Sequence, residues 1–181
     1  MKKSLISAVI AGLLGVAASG AFASDGTITF NGALTASTCT INGNGTSSKD
    51  FTVTLPTVST STLTASGQTA GATSYNIALS ACAPVTASSK AAVFYEAGTT
   101  VDPADGRLIV AAGGAKNVKL ELLNQDQTQI KAGYSRDLQN SKPADISSGS
   151  ATLSYEVRYY ATGATSAGAA NSSVVYSIDY Q

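Results

Sequence analysis

The 181-residue chain has no histidine and no tryptophan, its single methionine is Met1, and its only cysteines are Cys39 and Cys82. Without histidine there is no Ser-His-Asp triad, no Cys-His pair, no HExxH zinc site and no imidazole pH switch. Charge is scarce as well: 12% of residues are charged, and 11 Lys+Arg balance 11 Asp+Glu. A balanced chain without a basic run is not built to grip nucleic acid through its phosphates. With 44% apolar residues it is too hydrophobic for a generically disordered segment. What is present is a neutral, Ser/Thr-rich chain the size of one domain, poorly equipped for catalysis.

The first residues read as a secretory signal peptide, assigned to residues 1–23. Lys2 and Lys3 precede an apolar run from Leu5 to about Ala18, and Ala21-Phe22-Ala23 supplies a small-x-small end. A membrane anchor is the competing reading, but it needs about 20 apolar residues, and Gly12, Gly15 and Gly20 interrupt this run. Cleavage before Ser24 removes two lysines and leaves 9 basic and 11 acidic side chains, a mild net −2. Export then bears on the cysteines. In an oxidising compartment two cysteines in one small domain pair. Two metal ligands that far apart, with no histidine and no CxxC, make a poor zinc site. A Cys39–Cys82 bridge closes a loop of roughly 44 residues, worth about 4 kcal/mol on the loop-entropy model.

Beyond the leader the pattern is one of short strands. Period-two alternation covers Thr27–Leu34, Phe51–Leu55, Tyr75–Cys82, Ala91–Tyr95, Val118–Leu122, Thr152–Tyr160 and Val174–Tyr180. Between them lie turn clusters at Asn42–Gly45, Asp102–Gly106, Gly113-Gly114 and Gly163–Ala170. No segment holds a 3.6-residue apolar period, and β-branched residues suit strands. The fold class expected is all-β, a two-layer immunoglobulin-like sandwich. Gly32 stands in the apolar row of the first strand, either as an ordinary bulge or where another backbone approaches closely.

Several motifs in this order resemble the major structural subunits (pilins) of type 1-like fimbriae of the chaperone–usher pathway. They are Gly26-Thr-Ile-Thr-Phe-Asn-Gly32, Leu55-Pro-Thr-Val58, Tyr75-Asn-Ile-Ala-Leu-Ser-Ala-Cys82, Arg158-Tyr-Tyr-Ala-Thr-Gly163, Gly168-Ala-Ala-Asn171 and the terminal Tyr180-Gln181. Lys90–Val93, Asn117-Val118 and Leu120–Leu123 fit the middle of the pattern, while Pro56 replaces a usual glycine. The resemblance implies an immunoglobulin-like sandwich lacking its final strand, completed by a donor strand from another subunit. It divides the mature chain into a donor extension, 24–36, and a pilin domain, 37–181. Ile28, Phe30, Gly32 and Leu34 would face inward in the neighbour, with Gly32 fitting a shallow pocket. Val174, Tyr176, Ile178, Tyr180 and Gln181 would form the groove edge and meet the chaperone. The implied partners are identical or related pilin subunits, a periplasmic chaperone and an outer-membrane usher, giving a homopolymer at the cell surface. No cofactor, metal or catalytic residue is expected. The alternative function is a minor or adaptor pilin with carbohydrate-binding activity.

The remaining candidates are weaker. Asp102 and Asp105 lack an EF-hand pattern and read as a turn. Asn44-Gly-Thr46 and Asn171-Ser-Ser173 match glycosylation sequons formally, also in turn-like stretches. Glu96, Glu121 and Glu156 are placed on solvent-facing sides of separate strands. Arg158, Tyr155, Tyr159 and Tyr160 could line a sugar site, with strand packing the stronger reading.

Overall fold

The computed structural model describes residues 27–32, 34 and 36–181; residues 1–26, which include the expected signal peptide, and Ala33 and Thr35 lie outside them. Residues 36–181 lie within one compact unit. Its strands are β1 (Thr38–Gly43), β2 (Thr69–Ala83), β3 (Lys90–Tyr95), β4 (Leu108–Ile109), β5 (Val118–Asn124), β6 (Gln129–Ile130), β7 (Ala144–Asp145), β8 (Ala151–Ala161) and β9 (Tyr176–Tyr180). A one-turn helix, α1 (Arg136–Gln139), and a 3-10 turn at Thr60–Thr62 are the helical elements among the described residues. One sheet runs β1-β2-β8-β5-β4, with β6 also on β5, and the other runs β7-β3-β9. Every pairing is antiparallel.

Register follows from the apolar rows. On β2, Tyr75, Ile77 and Leu79 are buried while the residues between them are more exposed. Opposite them β8 buries Leu153, Tyr155 and Val157, and the register pairs Tyr75 with Tyr155 and Ile77 with Leu153. A one-residue slip would turn either row to the solvent. β8 is therefore a central strand, paired on both sides by β2 and β5. Val93 and Tyr95 of β3 meet these rows from the second sheet and close one shared core.

Polar links tie the layers. The Tyr155 hydroxyl accepts from the Val93 amide at 3.2 Å, joining β8 to β3. Beside β3, the buried Gln139 side chain stands in for a missing strand. The Tyr95 amide donates to Gln139 Oε1 at 2.7 Å, and Gln139 Nε2 donates back to the Tyr95 carbonyl at 3.0 Å. Both buried backbone groups are thereby satisfied. Cys39 and Cys82 form a disulfide joining β1 to the end of β2.

Candidate binding cleft

After β1 and the turn that follows it, the chain leaves the first sheet and runs extended from Phe51 to Val58. The alternation expected of a strand is there, with Phe51, Val53 and Leu55 half-buried against the core and Thr52 and Thr54 exposed. The ladder is not, since this segment belongs to neither sheet. Its position depends on two glycines. A Cβ on Gly43 would lie 1.9 Å from the Phe51 ring, so only glycine lets that ring settle on β1. At Gly71, which has φ +67°, a Cβ would meet the Tyr159 ring at 2.9 Å and Val58 Cγ1 at 3.2 Å. Gly71 falls where the β2–β8 register shifts, so the kink makes room for the far end of the same segment.

Facing this segment across an opening is the approach to β9. β9 pairs with β3 on one side and has no strand on the other among the described residues. Between the two walls lies a cleft of about 600 Å³, bounded by Lys49–Val53 and Leu55 on one side and Ser172–Tyr176 on the other. Its floor is the apolar core itself: Tyr75, Ile77, Tyr95, Leu108, Leu120, Leu122 and Val157. A second cavity of about 450 Å³ lies along Thr57–Thr60, between that stretch and Thr165–Ala170, over Val118 and Tyr159. The opening thus reaches down to buried core side chains between two chain segments, which is the shape of a slot for one more strand.

Aromatic rings run from this cleft into the core. Tyr176 meets Phe51 edge-on at 6.3 Å, Phe51 lies 6.1 Å from Tyr75, Tyr75 5.8 Å from Tyr155, and Tyr155 6.0 Å from Tyr95. The Tyr75 and Tyr95 hydroxyls share a buried hydrogen bond of 2.7 Å. Burial pushes the pKa of both phenols, and that of Tyr155, above the ordinary tyrosine range. These hydroxyls stay protonated and structural.

The expected groove-edge residues separate in the structure. Val174 and Tyr176 line the cleft. Ile178 and Tyr180 continue the same face and pack on the core without lining the cleft. The Tyr180 hydroxyl accepts from the Cys39 amide at 3.0 Å, and the Gln181 backbone exchanges two hydrogen bonds with Lys90. The opposite wall, Phe51, Val53 and Leu55, went unrecognised as part of a site. Its alternation was the available signal, but alternation does not say whether a partner strand lies alongside. Among the described residues the N-terminal candidates join no sheet of their own chain. Ile28, Phe30 and Leu34 are 79%, 88% and 104% exposed, and Gly32 is exposed with them.

One expectation fails outright. Glu121 does not face solvent; it is 2% exposed on β5. Arg107 donates to it at 2.5 Å through Nη2, and Arg158 at 2.7 Å through Nε. The Arg107 guanidinium also lies 3.6 Å over the Tyr160 ring. A carboxylate with two arginines is stable where a lone one would not be, and strand alternation cannot reveal such a cover. The Asp102 and Asp105 turn does hold a cation, but that cation is the Lys119 ammonium, at 2.7 and 2.9 Å. Hydrogen bonding to Lys119 is the main reason the Asp102 pKa lies below the usual carboxylate range. Among the described residues no cluster of three or more His, Cys, Asp or Glu side chains could hold a metal ion. Tyr155 is core, and Tyr160 packs beneath Arg107, so these two serve packing.

The family model for type-1 fimbrial protein A matches residues 55–181, from the wall of the cleft to the last residue. The chain belongs to the type-1 fimbrial protein family. It is 40% identical over 177 residues to the F17 fimbrial protein of Escherichia coli, covering 95% of this chain and 97% of that one. It is 44% identical over 174 residues to the major fimbrial subunit SMF-1 of Stenotrophomonas maltophilia, covering 93% and 99%. The crystal structure of an antigen and type I fimbria protein from Burkholderia pseudomallei superposes with a TM-score of 0.55 at 27% identity, covering 79% of this chain and 99% of that one. The P pilus rod subunit PapA shares the fold, with a TM-score of 0.59 at 15% identity and the same coverage. This fimbrial subunit thus has the immunoglobulin-like all-β fold expected from its strand pattern.

Proposed function

We propose that the chain is a building block of a cell-surface fimbria that polymerises head-to-tail by donating its N-terminal segment to the cleft of another copy. The observation that carries this reading is the pairing of two incomplete features in one molecule. The compact domain has a strand-shaped apolar cleft whose edges pair with no strand among the described residues, and near the N-terminus Ile28, Phe30 and Leu34 are exposed at alternate positions. Burying each of those side chains would contribute about 1.5–3 kcal/mol. Each backbone hydrogen bond gained along the two edges adds ~0.5–1.5 kcal/mol. Donor and acceptor surfaces differ, so the contact is heterologous and propagates as a filament. Its work is assembly rather than catalysis, and it needs no nucleotide or metal, because completing each fold supplies the drive.

On this reading the chain leaves the cell through the periplasm, where a chaperone holds the cleft until an outer-membrane usher exchanges it for the next subunit's donor strand, and the finished fibre supports adhesion. Deleting Ser24–Thr35 tests the proposal. The truncated chain should still fold onto a chaperone but donate to no neighbour, so its fibres should be missing from the SDS-resistant ladder that full-length chain gives before strong heating. Normal fibres built from the deletion variant would overturn it.

A further inference from the structure

We infer that Tyr176 is the end-stop of the cleft, the residue that fixes the register of an inserted strand. The inference rests on the donor-strand reading of the cleft and adds to it a specific determinant.

An alternating strand carries an inherent ambiguity. Sliding it by two residues keeps every side chain on its original face, so apolar alternation alone does not choose between registers. Gly32 marks one position of the row, and a stop in the acceptor would fix where the row ends. At one end of the cleft the two walls touch: the Tyr176 hydroxyl donates to the Lys49 carbonyl at 2.7 Å, across 127 residues of sequence. The Tyr176 ring packs edge-on against Phe51 at the same place. Farther along β9 the free edge continues, with Ile178 and Tyr180 packed on the core and the Tyr180 hydroxyl taking the Cys39 amide proton. The disulfide then anchors that side of the closure to β2. Away from Tyr176 a second cavity lies along Val58 and Gly168. The bridge therefore closes the cleft at its Tyr176 end.

Length makes the stop effective. From Phe51 to Val58 the wall spans about 23 Å at ~3.3 Å per residue, and Ile28 to Leu34 spans about 20 Å. The slack is about one residue, whereas a two-residue slip needs about 7 Å. A slip toward β9 would drive the strand into the Tyr176–Lys49 bridge.

The test uses the full mature chain and a synthetic peptide of residues 24–36 carrying a photoreactive side chain in place of Asn31, with cross-linked positions read by mass spectrometry. Wild type should give one product. Tyr176→Ala, checked for its disulfide and β-sheet spectrum, should add a second product displaced by two residues toward β9. Tyr176→Phe, which keeps the ring and loses the hydroxyl, should show the displaced product as a minor species. A single product from folded Tyr176→Ala overturns the end-stop. Should that variant not fold, Tyr176→Phe decides, and a single product from it overturns the end-stop equally. If wild type takes up no peptide at all, the donor-strand reading itself fails, an outcome distinct from uptake in an unaltered register.

Discussion

Thr27–Leu34 and Phe51–Leu55 carry the same sequence signal, alternation of apolar and polar positions, and among the described residues neither joins a sheet of its own chain. They differ in where the apolar side goes. Phe51, Val53 and Leu55 rest half-buried on the core, whereas Ile28, Phe30 and Leu34 are 79–104% exposed. Alternation therefore reports that a segment has two unlike faces, while the ladder depends on whether a neighbouring edge is available. On the proposed donor-strand reading, the later segment is a wall lacking its neighbour and the earlier one is the segment that would supply it.

If the wall is held by the domain, loosening the domain should release it while leaving the earlier segment unaffected. The disulfide gives the largest such effect. Cys39→Ser with Cys82→Ser removes a constraint on the loop that contains the whole wall, and should lower unfolding stability by about 4 kcal/mol. Urea denaturation would read the loss, and limited proteolysis should newly cut within 51–58. An unchanged midpoint would mean that wall and β1 are held by packing alone.

A smaller effect should follow from disturbing the wall's seat. Gly43→Val places side-chain atoms where the Phe51 ring lies and should cost about 1–3 kcal/mol by overpacking. Phe51→Ala should cost about 2 kcal/mol, less than a fully buried phenylalanine because the ring is only half covered. Equal stability of Gly43→Val and wild type would show that the wall does not need this close approach.

The floor beneath the wall titrates at high pH. Burial, with further raising from neighbouring tyrosines, holds the Tyr95 proton well above the ordinary range, and burial does the same for Tyr75. An unfolded chain releases these protons near pH 10. Above that pH the folded state binds more protons than the unfolded one, so stability is intact below about pH 10 and declines as pH rises, by up to ~1.4 kcal/mol per pH unit for each group. Tyr95→Phe should flatten the decline in a pH series of denaturation midpoints.

Much of this was legible from residues alone. β2, β3, β5 and β8 announce themselves by alternation over five or more residues, and β2 and β8 bury the rows that alternation selects. β4, β6 and β7 are two residues long and leave no period to detect. The cleft was half legible. Val174 and Tyr176 follow from the terminal strand, but the opposite wall looked like any paired strand, because a missing ladder leaves no mark on side-chain pattern. Gly43 read as turn chemistry; that it also makes room for Phe51 is a contact across eight residues that composition does not encode. Glu121 was misplaced for a related reason, since Arg107 reaches its face of β5 from a turn fourteen residues away.

The sharpest comparison has the smallest effect on the domain itself. Phe30→Ala removes a phenylalanine that is 88% exposed, so the isolated chain should lose no more than ~0.5 kcal/mol, the range of ordinary surface changes. Phe51→Ala, the same substitution in the partner segment, should be visible at once in the same urea titration. On the donor-strand reading the effect of the Phe30 change falls on assembly. Phe30→Ala forfeits about 1.5–3 kcal/mol at every joint, and its fibres should release subunits at lower temperature on SDS gels while each subunit melts like wild type. A Phe30 variant that destabilised the monomer as much as Phe51→Ala would place residues 27–34 in the chain's own core, and the distinction between strand donor and cleft wall would disappear.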